Sequence, residues 1–476
     1  MATKSRASTG LVQYLRQAAY YSSQQARHQP VTYVLGNPSA DLDSIISAII
    51  YSYIATSTRQ GCLPPRHYVP IINLPDVRSG NELGRLRPEF ITALKLATKD
   101  SGNQEADDAA FLKQSILTVA DLKEQIRQTN SQPDSAKPIE VFMVDWNALP
   151  VLSSGRRGIE GFDDDTHGDI PIAVTGCIDH HYDEKFVPPD VTTWCIQTGV
   201  GSCTSLVVRE LRSRGLWRDT PFVEAVHEGH PQLESSIISS LRAESEVAKL
   251  ALAAILADTT NMTAKDKVSE VDRLAVSFLK SKINQAQDPS WNCDKFYEEI
   301  INAKNSSVDK LTTDEVLGRD YKDWIDDIPA TRGIVKKIKI GICSVVKPIS
   351  WLISKASQEH QSPESPQQFF DSLRAFAQSR NLDVVAVMTA YTTQPENQFH
   401  RELLVWCLDK GHSQGFELFE ALAIDKLGLQ NLSGSNIQTF SNTNDDMIRI
   451  WRQTDVSKSR KQVAPLLRNA MTESLL

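Results

Sequence analysis

Four short stretches of this chain bring together residue types that bind cations and move protons. The first holds Asn37, Asp41 and Asp43, with Ser44 directly after. The second is Asp145, and the third is the run Asp179, His180 and His181. The fourth is Asp258, followed by Thr259, Thr260 and Asn261. Carboxylates in excess over imidazoles suit Mg²⁺ or Mn²⁺ better than an ion that seeks thiolates. Anionic ligands crowded into one place repel each other unless cations neutralise them. Asp41 and Asp43 lie two apart, so each can face a different ion. Two ions about 3.5–4 Å apart, bridged by one carboxylate, are the usual arrangement for phosphoryl hydrolysis. Taken singly each piece is weak, since a lone Asp after a strand is more often a cap or turn residue. Their order and placement carry the reading.

Placement depends on the elements around them. Val31–Leu35 is a short β-branched run that opens into Gly-Asn-Pro, so it reads as a buried strand before a loop. Asp43–Thr56 is apolar on nearly every face, as a helix packed on a sheet would be. Further strands are expected at Tyr68–Asn73, Ile139–Asp145, Ile172–Ile178 and Thr192–Gln197. Helices are expected at Glu82–Ala97, Asp108–Gln128, Ser202–Arg212, Leu233–Ala257 and Val268–Lys282. Polar loops are expected at Gln128–Pro138 and Ser153–Asp169. Strands alternating with helices predict a parallel α/β sheet. In such sheets ligands bind outside the carboxyl ends of the strands, where these Asp and His residues fall.

After about residue 305 the pattern changes, and the chain is divided there into domains 1–305 and 306–476. The second part carries expected strands at Lys339–Val346, Val384–Tyr391 and Glu402–Asp409, and helices at Pro366–Gln378 and Phe416–Leu427. Two successive strands with short connections predict a mixed or antiparallel sheet. Ser357–Pro366, rich in Ser, Gln and Pro, is expected to be a mobile loop.

GNPSADLDS (36–44), VDW (144–146), DHH (179–181) and ADTTN (257–261) resemble the four successive motifs of the DHH phosphoesterase superfamily. DYK (320–322), KIGICSVVKPISWL (339–352) and SRKQVAPLL (459–467) resemble its DHHA2-type C-terminal domain. The form of the first motif and the chain length are similar to the fungal exopolyphosphatase and prune branch. The resemblance implies a DHH domain with helices on both faces of its sheet, a smaller DHHA2-type domain, and two divalent cations, Mg²⁺ or Mn²⁺ with Co²⁺ as a further option. It implies that Asp145 bridges the ions, that Asp41 with Asn37 binds one, and that Asp43, His180 and Asp258 hold the other. His181 would touch substrate phosphate, and Asp179 would orient the His pair. Asn37 stands where the related pyrophosphatases carry a metal-binding His, which argues against a Mn²⁺-selective pyrophosphatase.

The implied activity is hydrolysis of the terminal phosphoanhydride bond of inorganic polyphosphate. The alternatives are a short-chain polyphosphatase or cyclic-nucleotide phosphodiesterase of the prune kind, an inorganic pyrophosphatase, and an exonuclease. Lys322, Lys347, Arg460 and Lys461 fall at motif positions in the second domain and would receive substrate phosphates. Solvation explains Lys322 and Lys347 equally well, and Arg401 is a weaker candidate. Gly199–Ser205 (GVGSCTS) opens a helix, and its amides could assist phosphate binding. Close helix packing explains its glycines as readily.

Composition narrows the classes. The 476 residues carry 51 basic and 59 acidic side chains, so the chain repels polyanions at long range and a nucleic-acid-coating role is disfavoured. Seven dispersed Cys with no CxxC pair point to reduced thiols and a cytoplasmic setting, with the mitochondrial matrix as the alternative. No acidic residue precedes Asp41, which fits a transit peptide. The competing and preferred reading is a first helix over residues 11–27. No apolar run is long enough to span a bilayer.

Overall fold

The computed structural model describes residues 10–23, 31–57, 67–99, 107–128, 138–152, 154–162, 170–220, 231–286, 290–328, 336–393, 395, 398–432 and 447–473. The chain divides into two compact units, Met1–Ser307 and Val308–Leu476.

The first unit contains α1 (Leu11–Ser23), β1 (Val31–Leu35), α2 (Leu42–Ser57), β2 (His67–Ile71), α3 (Asn81–Leu86), α4 (Pro88–Thr98), α5 (Asp108–Ser115) and α6 (Val119–Gln128). There follow β3 (Ile139–Val144), β4 (Ile172–Asp179), β5 (Thr193–Ile196), α7 (Cys203–Ser213), α8 (Pro231–Asp258), α9 (Glu270–Gln285) and α10 (Cys293–Ser307). Its sheet has the order β2-β1-β3-β4-β5 and every pairing is parallel. The chain leaves β1 towards β2 and then returns to place β3 on the other side of β1. The order therefore reverses between β1 and β3, and a crevice opens beyond their carboxyl ends. Asn37–Asp43 follow β1 there, and Asp145 follows β3.

Burial explains these elements. All five residues of β1 are buried, and α2 buries Leu42 through Ala55 without a break. A helix apolar all round belongs inside a core. Gly36 is required where β1 meets α2, since a Cβ there would lie 2.7 Å from the Ser44 Cβ. The first helix expected over residues 11–27 is present over Leu11–Ser23, with 24–27 outside the described residues, and Leu11, Val12, Tyr14, Leu15 and Ala18 join the core of this unit.

Two expected helices are each broken in two. Arg87 precedes Pro88 and is held out of the helical region (φ −132°), so α3 ends and α4 starts with Pro at its first position. Ile116 is extended and ends α5, and Thr118 bridges to Ile72. The Thr118 hydroxyl then caps α6 by accepting the Asp121 N–H. The α10 helix, unexpected from the sequence, has a polar surface around buried Phe296 and Ile300. Residues 129–137 of the loop expected at 128–138 lie outside the described residues, whereas 154–162 of the one expected at 153–169 are described and form turns, with Arg157 bridging to Val151.

The second unit holds α11 (Thr313–Arg319), β6 (Tyr321–Ile328), β7 (Lys336–Val345), α12 (Ile349–Glu359), α13 (Pro366–Ser379), β8 (Val384–Thr389), β9 (Tyr391–Thr393) and β10 (Gln398–Cys407). It ends with α14 (Ser413–Leu427), β11 (Leu429–Asn431), β12 (Met447–Gln453) and α15 (Arg460–Glu473). Its sheet runs β11-β12-β10-β8-β7-β6, with β9 on β10. Only β7 and β8 pair in parallel, so the sheet is mixed. The segment expected as a mobile loop at 357–366 is a hydrogen-bonded turn. The Ser357 hydroxyl bonds both the carbonyl and the amide of Ser365, and the Ser365 hydroxyl caps α13.

Candidate metal centre

The four stretches converge at the carboxyl edge of the first sheet. Ligand atoms of Asp145, His180 and His181 lie within 4.8 Å of one another, and so do those of Asp43, His180 and Asp258. His180 belongs to both groups. Its side chain is 2% exposed. Its Nδ1 lies 3.0 Å from the Val200 carbonyl, which can only accept, so Nδ1 carries the proton. The lone pair at Nε2 then faces Asp145 Oδ1 at 3.1 Å and Asp43 Oδ2 at 4.0 Å. A lone pair aimed at two carboxylates is repulsive unless a proton or a metal ion lies between them. An imidazole fixed through its far nitrogen and surrounded by carboxylates is the donor set that a divalent cation takes.

Asp145 is held on several sides. Its backbone sits at φ 55°, a strained conformation for a residue with a side chain. Its N–H donates to the Ile178 carbonyl and lies 3.2 Å from the Cys203 sulfur. Its Oδ2 accepts from the Ser44 hydroxyl at 2.6 Å and from Asn37 Nδ2 at 2.7 Å. Oδ1 is turned towards the two histidines.

Asn37 thus gives its amide nitrogen to Asp145, while its oxygen accepts from the N–H and hydroxyl of Ser39. In this arrangement it positions a carboxylate. Asp41 caps α2, with its Oδ1 accepting the Ser44 N–H at 2.9 Å, and it lies outside both groups. Asp179 holds His181, accepting from its Nδ1 at 2.7 Å and from its N–H. It orients His181, while His180 takes its orientation from Val200. His181 is 26% exposed, so of the two rings it is the one open to solvent.

Asp43 lies against the N-terminus of α7. It accepts from the Cys203 N–H, the Thr204 N–H and the hydroxyls of Ser202 and Thr204. Burial, then the charges of Asp145 and Asp41, push it up to about 7 against the relief from Thr204. Asp258, the last residue of α8, is also raised, by burial first and then by Asp43 and Asp41. These carboxylates cannot all ionise together without a compensating cation. After Asp258, residues Thr260, Asn261 and Met262 are all left-handed, and Thr259 bonds back to the Ile255 carbonyl.

In the 199–205 segment four amides are already used within the chain: Cys203 and Thr204 donate to Asp43, while Gly201 and Ser202 donate to Asp272. Packing accounts for Gly201, where a Cβ would lie 2.8 Å from Thr259 Cγ2.

Several supporting residues are not evident from sequence. Arg87, 3% exposed, donates to the carbonyls of Ser39 and Ala40 and so clamps the loop that carries Asn37 and Asp41. Asn147 donates to Asp179. Asp272 closes the Ser269 capping box and holds the turn before α7, and the Ser-x-x-Asp spacing was a readable signal for half of that role. Nothing in the sequence marks Arg87, because its partners are backbone carbonyls 47 and 48 positions away.

The basic candidates belong to the second unit and share one edge of its sheet. Lys322 lies near the start of β6, opposite Ile342 of β7, and Lys347 follows the end of β7. Arg460 opens α15 beside Lys461 and donates to the Asp320 carboxylate and carbonyl. Lys347 pairs with Asp309 at 3.0 Å. Arg401, near the start of β10, donates to the Val456 carbonyl. Among the described residues no helix is long and apolar enough to cross a membrane.

Residues 298–470 match the family model described as the DHHA2 domain. The chain is 28% identical over 445 residues to a Schizosaccharomyces pombe protein named "Putative exopolyphosphatase", covering 93% of this chain and 91% of that protein. It is also similar to a solved structure described as "Methanococcus jannaschii putative family II inorganic pyrophosphatase". That match has 17% identity and a TM-score of 0.48, and covers 92% of this chain and 99% of the other. The second part of the chain is thus similar to DHHA2 domains, and the chain as a whole is similar to a protein named as an exopolyphosphatase.

Proposed function

We propose that this protein is a metal-dependent phosphoanhydride hydrolase that removes orthophosphate from the end of inorganic polyphosphate. The observation that carries the reading is the wedge of His180 between Asp145 and Asp43, with its far nitrogen on Val200. Asp145, His180, Asp43 and Asp258 would hold two divalent cations, with Asp41 adding negative charge beside them. Bound there, the cations would lower the pKa of a shared water and supply hydroxide near neutral pH.

The remaining work falls to the chain's own groups. Asn37 and Ser44 hold one oxygen of Asp145, so the other stays turned inward. His181, tethered to Asp179 through Nδ1, presents Nε2 to a phosphoryl oxygen and gives it a hydrogen bond when the ring is protonated. Lys322, Lys347, Arg460 and Lys461 would offset charge on the rest of the phosphate chain. No Ser or Cys nucleophile is needed. The similarity to a protein named as an exopolyphosphatase supports this substrate class.

The test is phosphate release from pyrophosphate, tripolyphosphate, long-chain polyphosphate and cyclic AMP, each with Mg²⁺, Mn²⁺ or Co²⁺, before and after chelation. Stepwise release from long chains that stops with chelator and returns with a divalent ion is the expected result. Turnover of pyrophosphate or cyclic AMP alone would overturn the substrate assignment. Release that persists in chelator would overturn the metal assignment.

A further inference from the structure

We propose that the second unit carries a divalent-cation site of its own, formed by Asp383, Asp409 and His412, with the ligand chemistry of Zn²⁺. The β8–β10 pairing sets Val384 opposite Cys407, so the residue before β8 and those just after β10 emerge side by side. The Leu408 N–H donates to the Asp383 carbonyl at 2.8 Å and ties the two segments together. This edge lies opposite the one that carries Lys347, because β7 and β8 are parallel and Asp383 precedes β8. One ligand atom from each of Asp383, Asp409 and His412 lies within 4.8 Å of the others.

Each carboxylate is already oriented by a backbone amide. Asp383 Oδ2 accepts the Lys339 N–H at 2.7 Å, and Asp409 Oδ1 accepts the Gly411 N–H at 2.9 Å. One oxygen of each remains for another partner. The Lys339 ammonium does not compete for them, since it pairs with Asp323 at 3.0 Å.

His412 is the independent observation. Its side chain is only 8% exposed, yet its Nδ1 has no hydrogen-bond partner among the described residues. Its Nε2 lies 3.6 Å from Asp409 Oδ2, too far for a hydrogen bond. Nε2 is the nitrogen that faces the carboxylates, and a buried imidazole that makes no hydrogen bond to the described residues and turns this nitrogen to two oriented carboxylates lacks the partner that a small cation would be. Two carboxylate oxygens and one imidazole nitrogen form a donor set for Zn²⁺. Asp409 is 57% exposed, so a bound ion would keep water on its open side. Such an ion would join the start of β8, the end of β10 and the start of α14.

The experiment uses the full chain carrying Asp145→Asn and His180→Gln, which disable the centre in the first unit. Zn²⁺ binding is measured by equilibrium dialysis and calorimetry, with folding checked by circular dichroism. A single residual Zn²⁺ is expected. Adding Asp409→Asn or His412→Gln should weaken it by about tenfold or more, since losing even an outer partner of a ligand costs that much. Asp409→Asn changes an exposed side chain, so it decides the matter even if His412→Gln fails to fold. No Zn²⁺ retained in the starting background would overturn the proposal. So would Zn²⁺ retained with unchanged affinity in Asp409→Asn.

Discussion

Replacing Ser44 with Ala tests whether Asp145 is aimed by its neighbours. The Ser44 hydroxyl donates to Asp145 Oδ2 at 2.6 Å, and both residues are buried. A hydrogen bond to a charged group contributes about 1.5–3 kcal/mol, and about 1.4 kcal/mol corresponds to tenfold in an equilibrium. Removing it should weaken divalent-ion binding by about ten- to a hundredfold, the range seen when an outer partner of a metal ligand is lost. The low end is expected, because Asn37 still donates to the same oxygen at 2.7 Å. Ser44 lies in the first turn of α2, where Ala is also a good helix former, so the helix should persist, and the buried Asn37 N–H, which donates to the Ser44 hydroxyl at 3.3 Å, loses that partner. The assay is phosphate release from polyphosphate as a function of Mg²⁺ or Mn²⁺, with ion affinity measured directly by calorimetry. The half-saturating metal concentration should rise, with much of the rate recovered at high metal. An affinity within twofold of the parent protein would refute the idea that this hydroxyl positions the carboxylate.

Asp145→Asn should abolish metal-dependent phosphate release while the unfolding transition is retained; a variant that keeps most of its turnover would remove Asp145 from its bridging role. Arg87→Met withdraws donors from the buried carbonyls of Ser39 and Ala40, at a cost of about 1–3 kcal/mol for each unsatisfied group. Urea unfolding should show that loss together with weaker metal binding, and unchanged values for both would show that the loop holds itself. Glu244 and Lys282 form a fully buried ion pair at 2.6 Å, with Lys282 also donating to the Asp219 carbonyl. Glu244→Gln leaves the ammonium uncompensated and should cost about 3–5 kcal/mol in chemical denaturation, whereas the double change Glu244→Leu with Lys282→Met should cost far less. Equal losses in the two variants would contradict that account.

The four stretches, their order and the strands that deliver three of them were legible because strand-end loops follow from local apolar runs, and local runs are what a sequence displays. The mixed sheet of the second unit was legible for the same reason, at Lys336–Val345, Val384–Thr389 and Gln398–Cys407. Short or amphipathic elements such as α10, α11 and β6 were missed, since their apolar positions are few and gain meaning only against a neighbour. Residue types alone determined which chemistry could occur: carboxylates and imidazoles in one chain can take divalent ions wherever they meet. Only the tertiary structure decided how each group is used. Asn37 turns its nitrogen to Asp145, Val200 selects the nitrogen that His180 presents, and Asp43 caps a helix that begins at Cys203. Each of those outcomes depends on a hydrogen bond between groups far apart in the chain, and the direction of such a bond exists only once folding has brought its partners together.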